Sequence, residues 1–298
     1  MFFYRFRRLF AAALAAVAVS NCSHPTDKAI ASFSDSTTAI TSIASSASDL
    51  QTDLDDKTQA LRAATDFTAS KRLVFPPPHG SYWDKQFKKD WAVRVAVLKA
   101  IGAYARALSE ANDPALAKSV GETTTSLGVA LSDFQTAVAS RAGTSPGVSQ
   151  HIQIVGGIIA DAASLLTEFY TAQQLRVVMA RVHPKLEHAR DLIKQDLAEI
   201  ALGLKSQQNA YKRALDDKLT KISGLSDSQR YDAYMSAAAD YSAMAARISL
   251  VESSASGLDA MVDAHRELLE SSDDKRAVMA FTTFVKDVAD KAKKLQTS

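Results

Sequence analysis

The sequence is poor in the residues that several fold classes require. One cysteine in 298 residues permits no disulfide within the chain and no zinc site built on cysteines. Eleven glycines and seven prolines are too few for a many-stranded sandwich or barrel, which needs a turn every ten residues or so. Charge of one sign is missing too. The 35 basic and 33 acidic residues give +2, which excludes nucleic-acid binding through a basic surface. What is present is 47% apolar residues on a chain long enough to bury a full core unaided. An all-helical protein is what remains.

The N-terminus has its own pattern. Arg5, Arg7 and Arg8 precede an uncharged apolar stretch from Leu9 to Val19, too short to span a bilayer and right for the core of a secretory signal. The only cysteine, Cys22, follows Val19-Ser20-Asn21 directly. This segment resembles a bacterial lipoprotein signal, in which an aliphatic residue and two small residues precede an invariant cysteine. Val19, Ser20 and Cys22 fit, and Asn21 stands where that family carries Gly, Ala or Ser. The resemblance covers the first tenth of the chain. It implies removal of residues 1–21, a diacylglycerol and an acyl chain on Cys22, and attachment to the membrane, because several chains anchor a protein where one holds it only marginally. Ser23 in place of Asp implies outer-membrane delivery in a Gram-negative cell, facing the periplasm. Loss of 1–21 removes three arginines and no acid, so the remainder is about one charge negative and is no polybasic membrane binder.

Residues 22–28 read as a lipidated tether and 29–298 as a single helical-bundle domain. Apolar positions at alternating three- and four-residue steps, from Ile40 through Leu50 and Leu61, predict one helix over 27–72, about 70 Å long. The prolines at 76–78 end it. Further helices are predicted over 84–111, 114–141 and 146–182, with a kink or break at His183-Pro184. Seams from Leu186 to Ile222 and from Tyr234 to Leu269 flank Gly224, a helix-stop residue, and Ser226 with Gln229, a capping box. So short a connection makes the two helices an antiparallel hairpin. A helix over 273–295 closes the chain. The expected architecture is an elongated all-α bundle of about six to seven helices, several with coiled-coil-like seams, ending in this hairpin and a shorter helix.

Searches for chemistry return little. No GxSxG, HExxH, GxGxxG or phosphate-loop motif occurs, and no histidine has Glu three residues before it, as a di-iron bundle requires. The expectation is therefore no enzyme, no cofactor and no metal. His183, Glu187 and His188 are the nearest approach to a ligand cluster, but helical geometry turns His188 about 140° from His183, and a polar surface beside a kink is the plainer reading. His265 falls on the seam between Val262 and Leu269, as a hydrogen-bonded core histidine or a pH-sensitive one.

The stretch Phe75, Pro76, Pro77, Pro78, with Tyr82 and Trp83, is the candidate interaction loop. Prolines favour the extended helix that aromatic grooves recognise, while the aromatic residues can instead fold back on the bundle. The apolar segment 152–169 suggests a pore-forming or membrane-remodelling alternative, against which Gln153, Asp161 and Glu168 interrupt it. The leading expectation is a lipid-anchored, non-catalytic envelope protein acting by protein–protein or scaffold contacts, with another envelope protein or with itself.

Overall fold

The structure, a computed structural model, describes residues 25–47, 82–112, 172–221, 224–270 and 276–297, with helical residues at 56, 59–60, 62–63, 156–158 and 160–161 between them. The protein is all-α, with five long helices among the described residues: α1 (Pro25–Ser45), α2 (Tyr82–Asn112), α3 (Ala172–Lys221), α4 (Asp227–Glu270) and α5 (Arg276–Thr297). The long α3 and α4 pack antiparallel and the shorter α5 follows, as the seams predicted.

Helix α1 begins at Pro25, inside the stretch read as tether and three residues after Cys22. A proline suits a first helical position because its missing N–H has no intrahelical partner to lose. The expected continuous helix over 27–72 is interrupted at Ser46, with Ala47 helical again and further helical residues at 56, 59–60 and 62–63. Ser46 turns instead, its backbone N–H (3.1 Å) and its hydroxyl (2.7 Å) both donating to the Ile43 carbonyl. Serine competes with the helical backbone in this way through its own hydroxyl, even though Ile43, Ala44 and Ala47 beside it are buried. Trp91 of α2 then donates its indole N–H to the Ser45 carbonyl at 3.2 Å, satisfying an acceptor that the helix end leaves open.

Hydroxyls also explain how so polar a helix enters a core. Ser34, Ser36, Thr37 and Thr41 are buried on α1. The Thr41 hydroxyl donates to the Thr37 carbonyl at 2.8 Å, so it needs no partner from outside its own helix. Phe33 and Ile40, both without exposure, supply the apolar contacts on that face.

No break occurs at His183-Pro184. Helix α3 runs through Pro184 for 50 residues, about 75 Å. Proline removes one helical hydrogen bond, that to the carbonyl of Ala180, and both residues lie on the exposed side, where water serves that carbonyl. Val182 and Leu186, fully buried on either side, hold the helix against the core.

The α3–α4 register is marked by matched pairs: His183 with His265, Glu187 with Arg266, Lys194 with Asp259, Lys205 with Glu252, Tyr211 with Asp240. At the turn Gly224 takes φ 92°, the left-handed region that favours glycine. The capping box is present as predicted, with Gln229 N–H donating to the Ser226 hydroxyl (3.2 Å) and Ser226 N–H to the Gln229 side chain (2.9 Å). Helix α1 packs on α2, α4 and α5, and one apolar core runs through all five helices. Phe33 lies level with His265, and Ile40 with Gly257 and Phe284, so α1 runs antiparallel to α4.

Candidate functional site

Two features of this scaffold stand out chemically, one inside the bundle and one at its far end. The inner one lies where α1 to α4 meet. His265 of α4 has no exposure at all. Its Nε2 is 2.8 Å from the Tyr104 hydroxyl of α2, and its Nδ1 is 3.2 Å from Nδ1 of His183 on α3. His183 Nε2 lies 3.5 Å from Glu187 Oε1, and Arg266 donates to the same oxygen at 3.0 Å. Phe33 closes the remaining side, its ring 5.6 Å from that of His265.

The two imidazoles are parallel within 5°, with centres 5.3 Å apart. That separation exceeds the nitrogen–nitrogen distance by almost two ring radii, so the two nitrogens lie between the ring centres. The rings therefore share a plane and meet edge to edge in an N–H···N hydrogen bond, rather than face to face.

Direction along this chain follows from its outer end. At 3.5 Å the Glu187 carboxylate is beyond hydrogen-bond length from Nε2, but its charge favours a proton on the nitrogen that faces it, so the neutral His183 carries its proton on Nε2 and offers a lone pair at Nδ1. His265 must then donate from Nδ1 and accept at Nε2 from the Tyr104 hydroxyl. Every donor points from the core toward the surface carboxylate, and both tautomers follow from the network. Burial is the main cause of the electrostatics. It pushes His265 down to about 3, with His183 adding a smaller push, and raises Tyr104, with the charge of Asp161 adding to it. His183 is lowered by burial first, against the opposing pull of Glu187.

Next to this chain, Asp161 is buried and pairs with Lys185 and, at 3.7 Å, with Arg181. Lys185 also donates to the Gly157 carbonyl at 3.3 Å, and a Cβ at Gly157 would stand 3.0 Å from the end of the lysine side chain. Within the apolar segment 152–169, Gly157 and Asp161 thus meet α3 and Ile158 is fully buried, while Gly156 and Ala160 are exposed. Among the described residues, no three His, Cys, Asp or Glu side chains converge as a metal site would need, and no helix is long and apolar enough to cross a membrane.

The structure places His183, Glu187 and His188 as the helical geometry read from sequence had them. His183 and Glu187 do come together, whereas His188 is exposed on another side of α3. The third member of the cluster is His265, and the fourth, Tyr104, was legible only as a core position of α2. Tyr82 and Trp83 open helix α2. Phe75, Pro76, Pro77 and Pro78 lie outside the described residues, as does Cys22.

The outer feature is the end of the α3–α4 hairpin. From Asp227 to Ser236 no residue of α4 is buried, and Tyr231 (64% exposed), Tyr234 (61%), Met235 and Tyr241 present large apolar surface to solvent. Beneath them Tyr211 donates its hydroxyl to Asp240 at 3.0 Å, which with burial pushes that phenol up to about 12. No protein-family model, no curated protein and no solved structure matches the chain.

Proposed function

We propose that the protein is a lipid-anchored, non-catalytic helical bundle of the bacterial envelope. Acyl chains on Cys22 would hold it to the membrane. The exposed end of the α3–α4 hairpin would make its contacts, with another envelope protein or with a second copy of the chain. The observation that carries this reading is the separation of two ends. Helix α1 starts three residues after Cys22 and runs antiparallel to α4, so the anchored end lies beyond His265. The tyrosines lie at the opposite end, some 30 residues along α4, or about 45 Å away. An anchor at one end and an aromatic patch at the other is the layout of a spacer that presents a contact surface away from the bilayer. Tyrosine suits such a surface, since it brings large area at the cost of few rotamers.

Expression of the full chain in a bacterium, beside Cys22→Ala, tests the anchor. The reading expects a di- or triacyl mass increment on a chain beginning at residue 22, retained with membranes and lost in the variant. An unmodified chain in the soluble fraction overturns it. A photo-crosslinking residue at position 234, in the anchored protein, tests the contact surface. A discrete adduct, of twice the chain mass for self-association, is expected, and its absence at 231, 234 and 241 alike refutes the arm as the contact surface.

A further inference from the structure

The groups most completely removed from water have no part in that reading. We infer that Tyr104, His265 and His183, hydrogen-bonded in series and ending on the charge of Glu187, form a one-way latch that joins α2, α3 and α4 while both imidazoles are neutral and releases them in acid.

The latch follows from where an added proton must go. His183 is the less buried of the two rings, and its vacant nitrogen is Nδ1. A proton placed there faces the Nδ1–H of His265 across 3.2 Å, donor against donor. The contact survives only if His265 changes tautomer, giving up its proton at Nδ1 and carrying one at Nε2. That Nε2–H then points at the Tyr104 oxygen, whose own proton needs a new acceptor. Phe33 lines the same pocket with carbon, and among the described residues the Tyr104 hydroxyl has no hydrogen-bond partner but His265; Asp161, whose charge reaches this hydroxyl, is held by Lys185 and Arg181. Reversal therefore strands a donor in the core, which is unfavourable enough that the rings part instead and water enters.

Charges on the surrounding elements set the sign. Facing His183 are Glu187 and Arg190 of α3 and Arg266 and Glu270 of α4, two of each sign, so the neighbours largely offset one another. Facing His265 are His183, Tyr104 and Phe33, with no carboxylate to hold a proton on it. Both imidazoles sit below their ordinary value, chiefly through burial. The open state binds protons that the closed state refuses, so closure is complete above about pH 6.5 and weakens as the pH falls below it. The opening constant rises about tenfold per pH unit for each imidazole that must take a proton.

Hydrogen exchange of the full chain in detergent at pH 7.5, 6.5 and 5.5, corrected for intrinsic rates, reads this opening at residues 98–108 and 258–268. Wild type should open more than about sixfold, and up to about thirtyfold, further between pH 6.5 and 5.5, while protection around Tyr211 changes much less. His183→Gln keeps an acceptor for His265 and a donor for Glu187 without titrating, and its rise should be about sixfold at most. Imidazole nitrogen NMR of the wild type at pH 7.5 supplies a test that needs no variant: Nδ1–H on His265 and Nε2–H on His183 are expected. Opening independent of pH, an unaltered slope in His183→Gln, or the opposite tautomers would each overturn the latch.

Discussion

Gly257→Ala places a methyl group where α4 crosses α1 and separates two opposing effects cleanly. Helix propensity alone says that alanine stabilises an interior helical position by about 1 kcal/mol over glycine. The crossing says the reverse. A Cβ at Gly257 would stand 2.5 Å from Ile40 Cδ1, 2.6 Å from Ile40 Cγ1 and 3.2 Å from Phe284 Cε1. Carbon atoms settle at roughly 3.5–4.0 Å, so about 1 Å of movement is needed. Ile40 has no exposure and is branched at Cβ, which leaves it one strongly preferred rotamer in a helix, and Cγ1 is not a free end that can swing away. Forcing an extra methyl into such a site costs about 1–3 kcal/mol. The helix gain offsets about 1 kcal/mol of that, so Gly257→Ala should lose up to about 2 kcal/mol net, read as a lower urea midpoint with an unchanged slope. Ile40→Val removes the nearer of the two clashing atoms, Cδ1. Alone it should cost about 0.5–1.5 kcal/mol for the space left behind, but combined with Gly257→Ala it should recover stability, giving a coupling of about 1 kcal/mol. A Gly257→Ala protein more stable than wild type, or a double variant whose loss is the sum of the two, would refute the close crossing of α1 and α4.

Three further outcomes test other parts of the fold. Ser226→Ala removes one half of the capping box at the start of α4 and should cost about 1 kcal/mol in the urea midpoint, with Ser226→Asn close to wild type. Lys185→Met leaves the buried Asp161 without its nearest cation and should cost about 1–3 kcal/mol, less than a fully buried pair because Lys185 is a third exposed; adding Asp161→Leu should restore most of it. Ultraviolet titration should find one tyrosine with a midpoint near 12, and Asp240→Asn should shift that transition down, since the carboxylate beside Tyr211 then no longer opposes the phenolate.

Local chemistry written within a few residues was readable from sequence, and contacts set by packing were not. The capping box needs only Ser226 and Gln229 three positions apart, and it forms as read. Of the kink or break expected at His183-Pro184, the break does not occur, because a proline rule describes one lost hydrogen bond, whereas Val182 and Leu186 anchor the helix on both sides of it. The reverse happened at Ser46, where an unbroken apolar rhythm concealed a serine that bonds back to the chain. The histidine pair lies between these cases. His183 stands 41 residues before Gly224 and His265 stands 41 after it, so the hairpin read from the sequence already implies that they meet. That inference requires folding the two seams against one another about the turn, a step that grouping residues by nearness in sequence, as with His183 and His188, does not take. Tyr104 carries no such signal, because the position of α2 beside the hairpin is fixed by tertiary packing, including that of α1, which no turn or short spacing in the sequence specifies.

Whether the buried chain stabilises the bundle or only specifies it can be decided by removing it as a unit. Tyr104→Phe alone leaves Nε2 of His265 without a donor in a site closed to water, and His265→Leu alone leaves the Tyr104 hydroxyl without an acceptor there; each should cost about 1–3 kcal/mol. Made together, the substitutions strand neither group, and only His183 Nδ1, near the surface, must turn to solvent. The double variant should therefore lose less than the more damaging single one, a coupling of about 1–2 kcal/mol. Its pH dependence should change more than its stability at neutral pH. A base held below its unfolded value contributes stability that is present above about pH 6.5 and is lost as the pH falls toward the folded value, here about 3, at about 1.4 kcal/mol per pH unit. Between pH 6.5 and 5 the wild type should thus lose about 2 kcal/mol through His265, and the double variant should not. Urea midpoints at pH 7.5 and 5 measure both quantities. Equal acid losses in the two proteins would mean that His265 does not stay neutral in the core, and strictly additive single losses would mean that the hydrogen bond between Tyr104 and His265 is not made.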